Sequence, residues 1–235
     1  MLSLRTRTYE KELLDRDDIP FADIARNMEE LDVINTRLGG HAITTAGLRA
    51  LLRNRKPGGP VRVLEIGCGG GDNLRALARW AKRNKVAVSL TGVDINPECI
   101  AFARQRAGSG DIAFVESDYR LLAAGEPYDV IFSSLFCHHF TDPELVEQLR
   151  WMHRRARLGF FINDLHRHPL AYHSIRLLTL AFSKSYLVRN DAPLSVRRGF
   201  RRSEWSGLLA AAGIPDYRIH WKWAFRWLIT ATHHG

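Results

Sequence analysis

The sequence predicts a doubly wound α/β fold: a mostly parallel seven-stranded sheet ending in a β-hairpin, with helices ahead of it and a helical insertion near its end. Three observations predict it. From Val61 onward, short apolar runs alternate with segments of helical period, the pattern of strands joined by crossover helices. The first run ends in Gly67-Cys68-Gly69-Gly70-Gly71, a turn that can bring a ligand onto bare backbone. The last two runs, Tyr217 to Lys222 and Arg226 to Ala231, are joined by a short connection, which suits antiparallel pairing and leaves no room for a crossover.

The elements follow in order. Phe21 to Arg53 reads as two or more helices broken at Leu38-Gly39-Gly40-His41, and Lys56 to Pro60 reads as a linker. This divides the chain into an N-terminal helical cap, 1–56, and a Rossmann-like unit, 57–235. Strands are expected at Arg62 to Ile66, Ser89 to Asp94, Ala113 to Glu116, Val130 to Ser133 and Gly159 to Asp164. A helix should start near Asn73 and another run from Arg202 to Ala212, which leaves His168 to Arg198 as the insertion. Within it, Pro169 to Phe182 repeats apolar residues at helical spacing. Leu177, Leu178, Leu180 and Phe182 are expected to form an apolar roof over the sheet edge.

Composition narrows the class. Hydrophobic residues are 46% of the 235, enough for a sizeable core and too many for disorder. No apolar run reaches membrane-spanning length, and Met1 to Pro20 is too charged for a signal peptide. Cys68, Cys99 and Cys137 show no paired spacing, so reduced thiols and a cytoplasmic enzyme are expected. The net charge of +9 rests on arginine, since only six of 34 basic residues are lysine. A solvated basic surface is the plain reading; a nucleic-acid or anionic membrane surface is the sharper one.

The turn itself is discriminating. A dinucleotide fingerprint requires a third glycine three residues after its second, and that place falls on Asp72 or Leu74. What stands instead is acidic-x-Gly-x-Gly-x-Gly: Glu65, Gly67, Gly69 and Gly71. Asp94 ends the next run in Val93-Asp94-Ile95-Asn96-Pro97, where a carboxylate can take both hydroxyls of a ribose. Asp118-Tyr119 follows the third run, and Tyr128 to Ser134 forms the fourth. Over about Val61 to Asp164 the chain resembles class I S-adenosylmethionine-dependent methyltransferases. The resemblance implies S-adenosylmethionine as cofactor and S-adenosylhomocysteine as product. It implies contacts from Glu65, Gly67, Cys68, Gly69, Gly71, Asp94, Ile95, Asp118, Tyr119 and Ser134, with Asp118 on the adenine amino group. Taken singly, a glycine turn can simply tighten packing, and an Asp at a strand end can simply cap a helix.

The acceptor is less legible. Ser133-Ser134-Leu135-Phe136 lacks the prolines of DNA base N-methyltransferases, so nucleic acid is not the expected partner. Cys137-His138-His139-Phe140-Thr141-Asp142-Pro143 resembles a stretch of ubiquinone-pathway O-methyltransferases, with His139 on their histidine. An imidazole there can take the proton of a phenol. His139 is therefore the first candidate base, with His138 and His166 behind it, against the alternative of a capping or packing histidine. Leu135 stands where those enzymes place a metal-holding acid, so no metal is expected. The overall cast also resembles methyltransferases associated with type III polyketide synthases. The expected reaction is O-methylation of a phenolic or quinol small molecule. RNA methylation, ring C-methylation and a non-catalytic cofactor-binding scaffold stay as alternatives. Peripheral membrane contact stays open, and nothing in the sequence sets the oligomeric state.

Overall fold

The apolar runs become β1 (Val61–Ile66), β2 (Val88–Asp94), β3 (Ile112–Glu116), β4 (Tyr128–Ser134), β5 (Ala156–Leu165), β6 (Tyr217–Lys222) and β7 (Arg226–Thr232). The computed structural model describes residues 4–16, 18–53, 55, 58–108, 112–123 and 127–233; Lys56 and Pro57 of the expected linker lie outside them. The strands form one sheet in the order β3-β2-β1-β4-β5-β7-β6. β1 to β5 run parallel, and β7 is antiparallel to both β5 and β6. The order reverses between β1 and β4, so the connections leaving their carboxyl ends diverge and open a crevice there.

Eight helices accompany the sheet among the described residues. They are α1 (Phe21–Arg37), α2 (Gly40–Leu52), α3 (Asp72–Asn84), α4 (Pro97–Arg106), α5 (Asp142–Arg155), α6 (Pro169–Phe182), α7 (Tyr186–Arg198) and α8 (Arg202–Ala211). Both sheet faces are buried, as a parallel sheet requires. On one face Leu64, Phe160 and Ile162 pack against Leu149 of α5 and Trp205 of α8. On the other, Val63, Phe132 and Phe161 meet Leu48 of α2 and Leu74 and Leu77 of α3. Phe132 and Phe161 stack at 4.7 Å between centroids. The caps agree with the sequence: Pro97 opens α4, and Asn96 accepts a hydrogen bond from the Cys99 amide at 3.0 Å. All three cysteines are buried and free.

The insertion is a helix pair, α6 and α7, but α6 departs from the expected roof. Only Ala171 and Thr179 of its 14 residues are buried. Leu178 borders the interior cavity described below; Leu177, Leu180 and Phe182 point outward, at 68%, 52% and 81% exposure. The apolar period does mark a helix, but not a single inward face. No described helix is long and apolar enough to cross a membrane.

Residues 4–16, extended except for a 3₁₀ turn at Leu13–Asp15, were not expected as an element. They run along α7, held by arginines. Arg7 donates to the Arg198 and Phe140 carbonyls at 3.0 and 2.8 Å, pairs with Asp142 at 2.6 Å, and lies over the Phe200 ring. Asp191 of α7 receives the Leu13 and Leu14 amides at 2.8 and 3.0 Å. This strap covers the carboxyl end of β4.

Candidate functional site

β1 delivers the chain to the sheet edge, and Gly67 turns it at φ +65°. A side chain here is excluded, because a Cβ would stand 2.1 Å from the Phe136 ring. Gly69, at φ +48°, is different: a Cβ there would meet only the Met28 sulfur at 3.6 Å. The backbone at Gly69 is left bare for something other than protein. Its amide donates to Asp94 Oδ2 at 2.8 Å, while Asp94 Oδ1 takes the Asn96 amide at 3.0 Å. Burial pushes the Asp94 carboxyl up against these bonds. Glu65 is almost fully buried, and burial holds it well above the usual carboxylate range. Its Oε2 has no hydrogen-bond partner, an orphan that a ligand's donor would satisfy.

These groups border a cavity of about 1180 Å³ between the sheet edge, α1, the insertion and the strap. Of the residues expected to hold the cofactor, the cavity brings together Glu65, Gly67, Cys68, Gly69, Asp94, Ile95 and Ser134. Gly71, Asp118 and Tyr119 are not among its walls. Gly71 packs edge-on to the Phe114 ring. The Asp118 carboxylate is taken by Arg120, whose Nε stands at 2.9 and 3.0 Å, and it caps the short turn that follows. Tyr119 is core, its ring 5.0 Å from Trp151 and 6.4 Å from Phe136. Sequence position placed the third acid correctly; the arginine two residues on redirects it.

Beyond β4, Leu135 adopts φ +54° and a short 3₁₀ turn, Cys137–His139, follows. His138 is sealed, its Nδ1 2.8 Å from Asp164 Oδ1 and its Nε2 3.5 Å from Glu12 Oε1. Burial alone would lower this imidazole; Asp164 and Glu12 outweigh it and hold it up at about 9. With both ring nitrogens facing carboxylates, His138 is less suited than His139 to take a substrate proton. His139, partly open to the cavity, places Nδ1 3.3 Å from Asp15 Oδ1 and Nε2 3.8 Å from Glu12 Oε2. Burial would raise the Asp15 carboxyl; His139 and Arg198 hold it down at about 2. Arg198 also grips the carbonyls of His138 and His139, at 3.0 and 2.9 Å. His166 is elsewhere: it lies with Arg201 and Arg202 at another recess, accepts from Trp221 Nε1 at 3.3 Å, and burial with nearby cations pushes it down to about 4.

Glu12 and Asp15 were missed, since nothing in a charged N-terminus signals that it crosses a site more than a hundred residues away. Glu12, His138 and His139 have the ligand types and spacing to hold a cation, as do Asp32, His41 and Asp72. The second group has a visible structural role, because Asp72 receives His41 and Asn35 at 2.7 and 2.8 Å and ties α1 and α2 to the start of α3.

Residues 63–159 match the family described as "Methyltransferase domain". Over these residues the chain is similar to methyltransferase domains. S-adenosylmethionine is the cofactor of such a domain, and the orphan Glu65 oxygen, the bare Gly69 backbone and Asp94 suit it. The chain is 31% identical over 120 residues to the ubiquinone biosynthesis O-methyltransferase of Pseudomonas aeruginosa, covering 47% of each. It is 35% identical over 83 residues to trans-aconitate 2-methyltransferase of Streptomyces avermitilis, covering 33% of this chain and 29% of that one. The chain thus spans half or less of the length of these curated relatives. Its fold matches plantazolicin methyltransferase in complex with S-adenosylhomocysteine, with TM-score 0.67, 20% identity and 92% of each chain covered. It also matches human N-acetylserotonin methyltransferase in complex with S-adenosylmethionine, with TM-score 0.64, 19% identity, 91% of this chain and 56% of that one.

Proposed function

We propose that this protein transfers a methyl group from S-adenosylmethionine to a phenolic or quinol oxygen of a lipophilic aromatic small molecule. The observation that carries the reading is one cavity with the bare glycine turn and Asp94 on one wall and a carboxylate-flanked histidine on another. Glu65 would take the donor's ammonium, Asp94 its ribose hydroxyls, and the Gly67–Gly70 backbone would lie against the ligand. Acidic side chains on the walls, among them Glu12, Asp15 and Asp94, favour a cationic ligand.

The cofactor supplies a methyl group already activated on a sulfonium. What remains for the protein is to align the acceptor and remove its proton. A phenol with pKa about 10 is roughly a thousandth ionised at pH 7, so a base is useful. Asp15, accepting the Nδ1 proton of His139, leaves Nε2 with a free lone pair. The proton taken there is stabilised by Glu12, 3.8 Å away. Ile19, Leu31, Ile34, Phe140, Ile175 and Leu178 offer apolar wall for an aromatic acceptor. The curated O-methyltransferase relative is in keeping with transfer to oxygen. The outward face of α6, with Leu177, Phe182 and Arg176, and Lys184 just beyond its end suit peripheral contact with an anionic membrane holding such acceptors. Methyl transfer to a panel of phenols and quinols, read by mass spectrometry, tests the reading. Product from none of them, with amines or carboxylates methylated instead, contradicts it.

A further inference from the structure

Four arginines are buried among the described residues: Arg7, Arg167, Arg198 and Arg226. Three have a carboxylate: Asp142 at 2.6 Å from Arg7, Glu204 at 2.6 Å from Arg167, and Asp15 at 3.6 Å from Arg198. Arg226, the first residue of β7, forms no ion pair among the described residues although it is only 3% exposed. Its Nη2 donates to Asn35 Oδ1 at 2.9 Å; its Nη1 is buried without a partner. The acids that reach it electrostatically are already engaged, Asp72 by His41 and Asn35, and Asp164 by His138. A buried charge left unpaired is costly, and a guanidinium is matched to a carboxylate by its fork of donors. Arg226 borders the cavity, and so does Glu65, whose own orphan oxygen asks for a donor. Gly40 makes room for the guanidinium: a Cβ there would come within 3.1 Å of Nη1 and 2.9 Å of Asn35 Oδ1.

We propose that Arg226 is the carboxylate receptor of this cavity, its ion pair completed by the carboxylate of a bound small molecule. Two sources carry that chemistry, the amino-acid end of the donor and an acidic acceptor. Asn35 favours the donor, because it bonds both Arg226 and Asp72 at the head of α3, beside the glycine turn. There Glu65 and Arg226 would take the ammonium and the carboxylate of one amino acid.

The inference rests on the donor-site reading above for one arm and is independent of it for the other. Binding of S-adenosylmethionine, decarboxylated S-adenosylmethionine, and 4-hydroxybenzoate against its methyl ester is measured by calorimetry on the wild-type chain, Arg226→Met and Arg226→Lys. If the donor supplies the carboxylate, Arg226→Met binds S-adenosylmethionine at least tenfold more weakly and the decarboxylated form as wild type does. If an acceptor supplies it, donor affinity holds within twofold and the preference for the acid over the ester disappears. The melting temperature of ligand-free Arg226→Met should equal or exceed wild type, since an unpaired buried charge is removed. Arg226→Lys keeps the charge without the fork and reports the same losses should the Met variant fail to fold. Variants that bind every probe as wild type does, or that weaken all four equally with a fall in melting temperature, overturn the proposal. A wild-type chain that binds no S-adenosylmethionine at all removes the donor-site reading instead.

Discussion

The buried triad of Glu12, His138 and Asp164 predicts how stability changes with pH. In the unfolded chain the imidazole titrates near 6.5; in the fold it is held up at about 9. The folded state therefore keeps a proton that the unfolded state has lost, and stability falls as pH rises through this window. Below about 6.5 the contribution is fully present, and above about 9 it is gone. The difference between those values amounts to about 3 kcal/mol. The side chain is 3% exposed, so solvent screening removes little of it. For a chain of this length that corresponds to a fall in melting temperature of about 6–12 °C between the two limits. Other groups titrate as well, so the assay compares melting curves of wild type and His138→Gln across the window. The wild-type slope should exceed that of the variant, and Glu12→Gln, which leaves Asp164 in place, should lie between them. Equal slopes in wild type and His138→Gln would refute the ionic triad and, with it, the docking of the strap as described.

Gly69→Ala should cost only about 1–2 kcal/mol of stability through its positive φ, while weakening donor binding by filling the bare face of the turn. Gly67→Ala should lower both stability and binding, because Phe136 must move; calorimetry and melting curves separate the two. His139→Ala should leave donor affinity nearly intact and cut turnover at least tenfold, the low end of what a general base supplies being about a hundredfold. Asp15→Asn should lower turnover and spare donor affinity, because the carboxylate that orients the His139 ring is gone; turnover unmoved by either change assigns the base elsewhere. Leu177→Asp with Phe182→Asp should abolish co-sedimentation with phosphatidylglycerol vesicles and spare donor binding, whereas a wild-type chain that stays in the supernatant removes the membrane reading.

The fold was legible because its signals are local. Seven apolar runs, a turn with glycines at alternate positions and Pro97 after Asp94 each dictate their own element, and every strand formed within a few residues of its expected bounds. The cavity edge was legible for the same reason, since Glu65 and Gly69 lie near the end of β1 and in the turn after it, and Asp94 ends β2. Asp118 shows the limit: its place was right, but Arg120 claims its carboxylate. The histidines show a deeper one. His138 and His139 are neighbours in sequence with opposite surroundings, set by Asp164 from β5 and by Glu12 and Asp15 from a strap with no periodicity of its own. The Leu177, Leu180 and Phe182 stripe misled because helical period reports that a face is apolar, not what covers it.

The donor site is the centre of this account, and titration of S-adenosylhomocysteine into the wild-type chain and Asp94→Ala tests it most directly. The account predicts saturable micromolar binding to wild type and a loss of about 1.5–3 kcal/mol in the variant, the scale of hydrogen bonds to a charged group. NAD should not bind. Equal affinity in both proteins, or binding of NAD in place of S-adenosylhomocysteine, would contradict it.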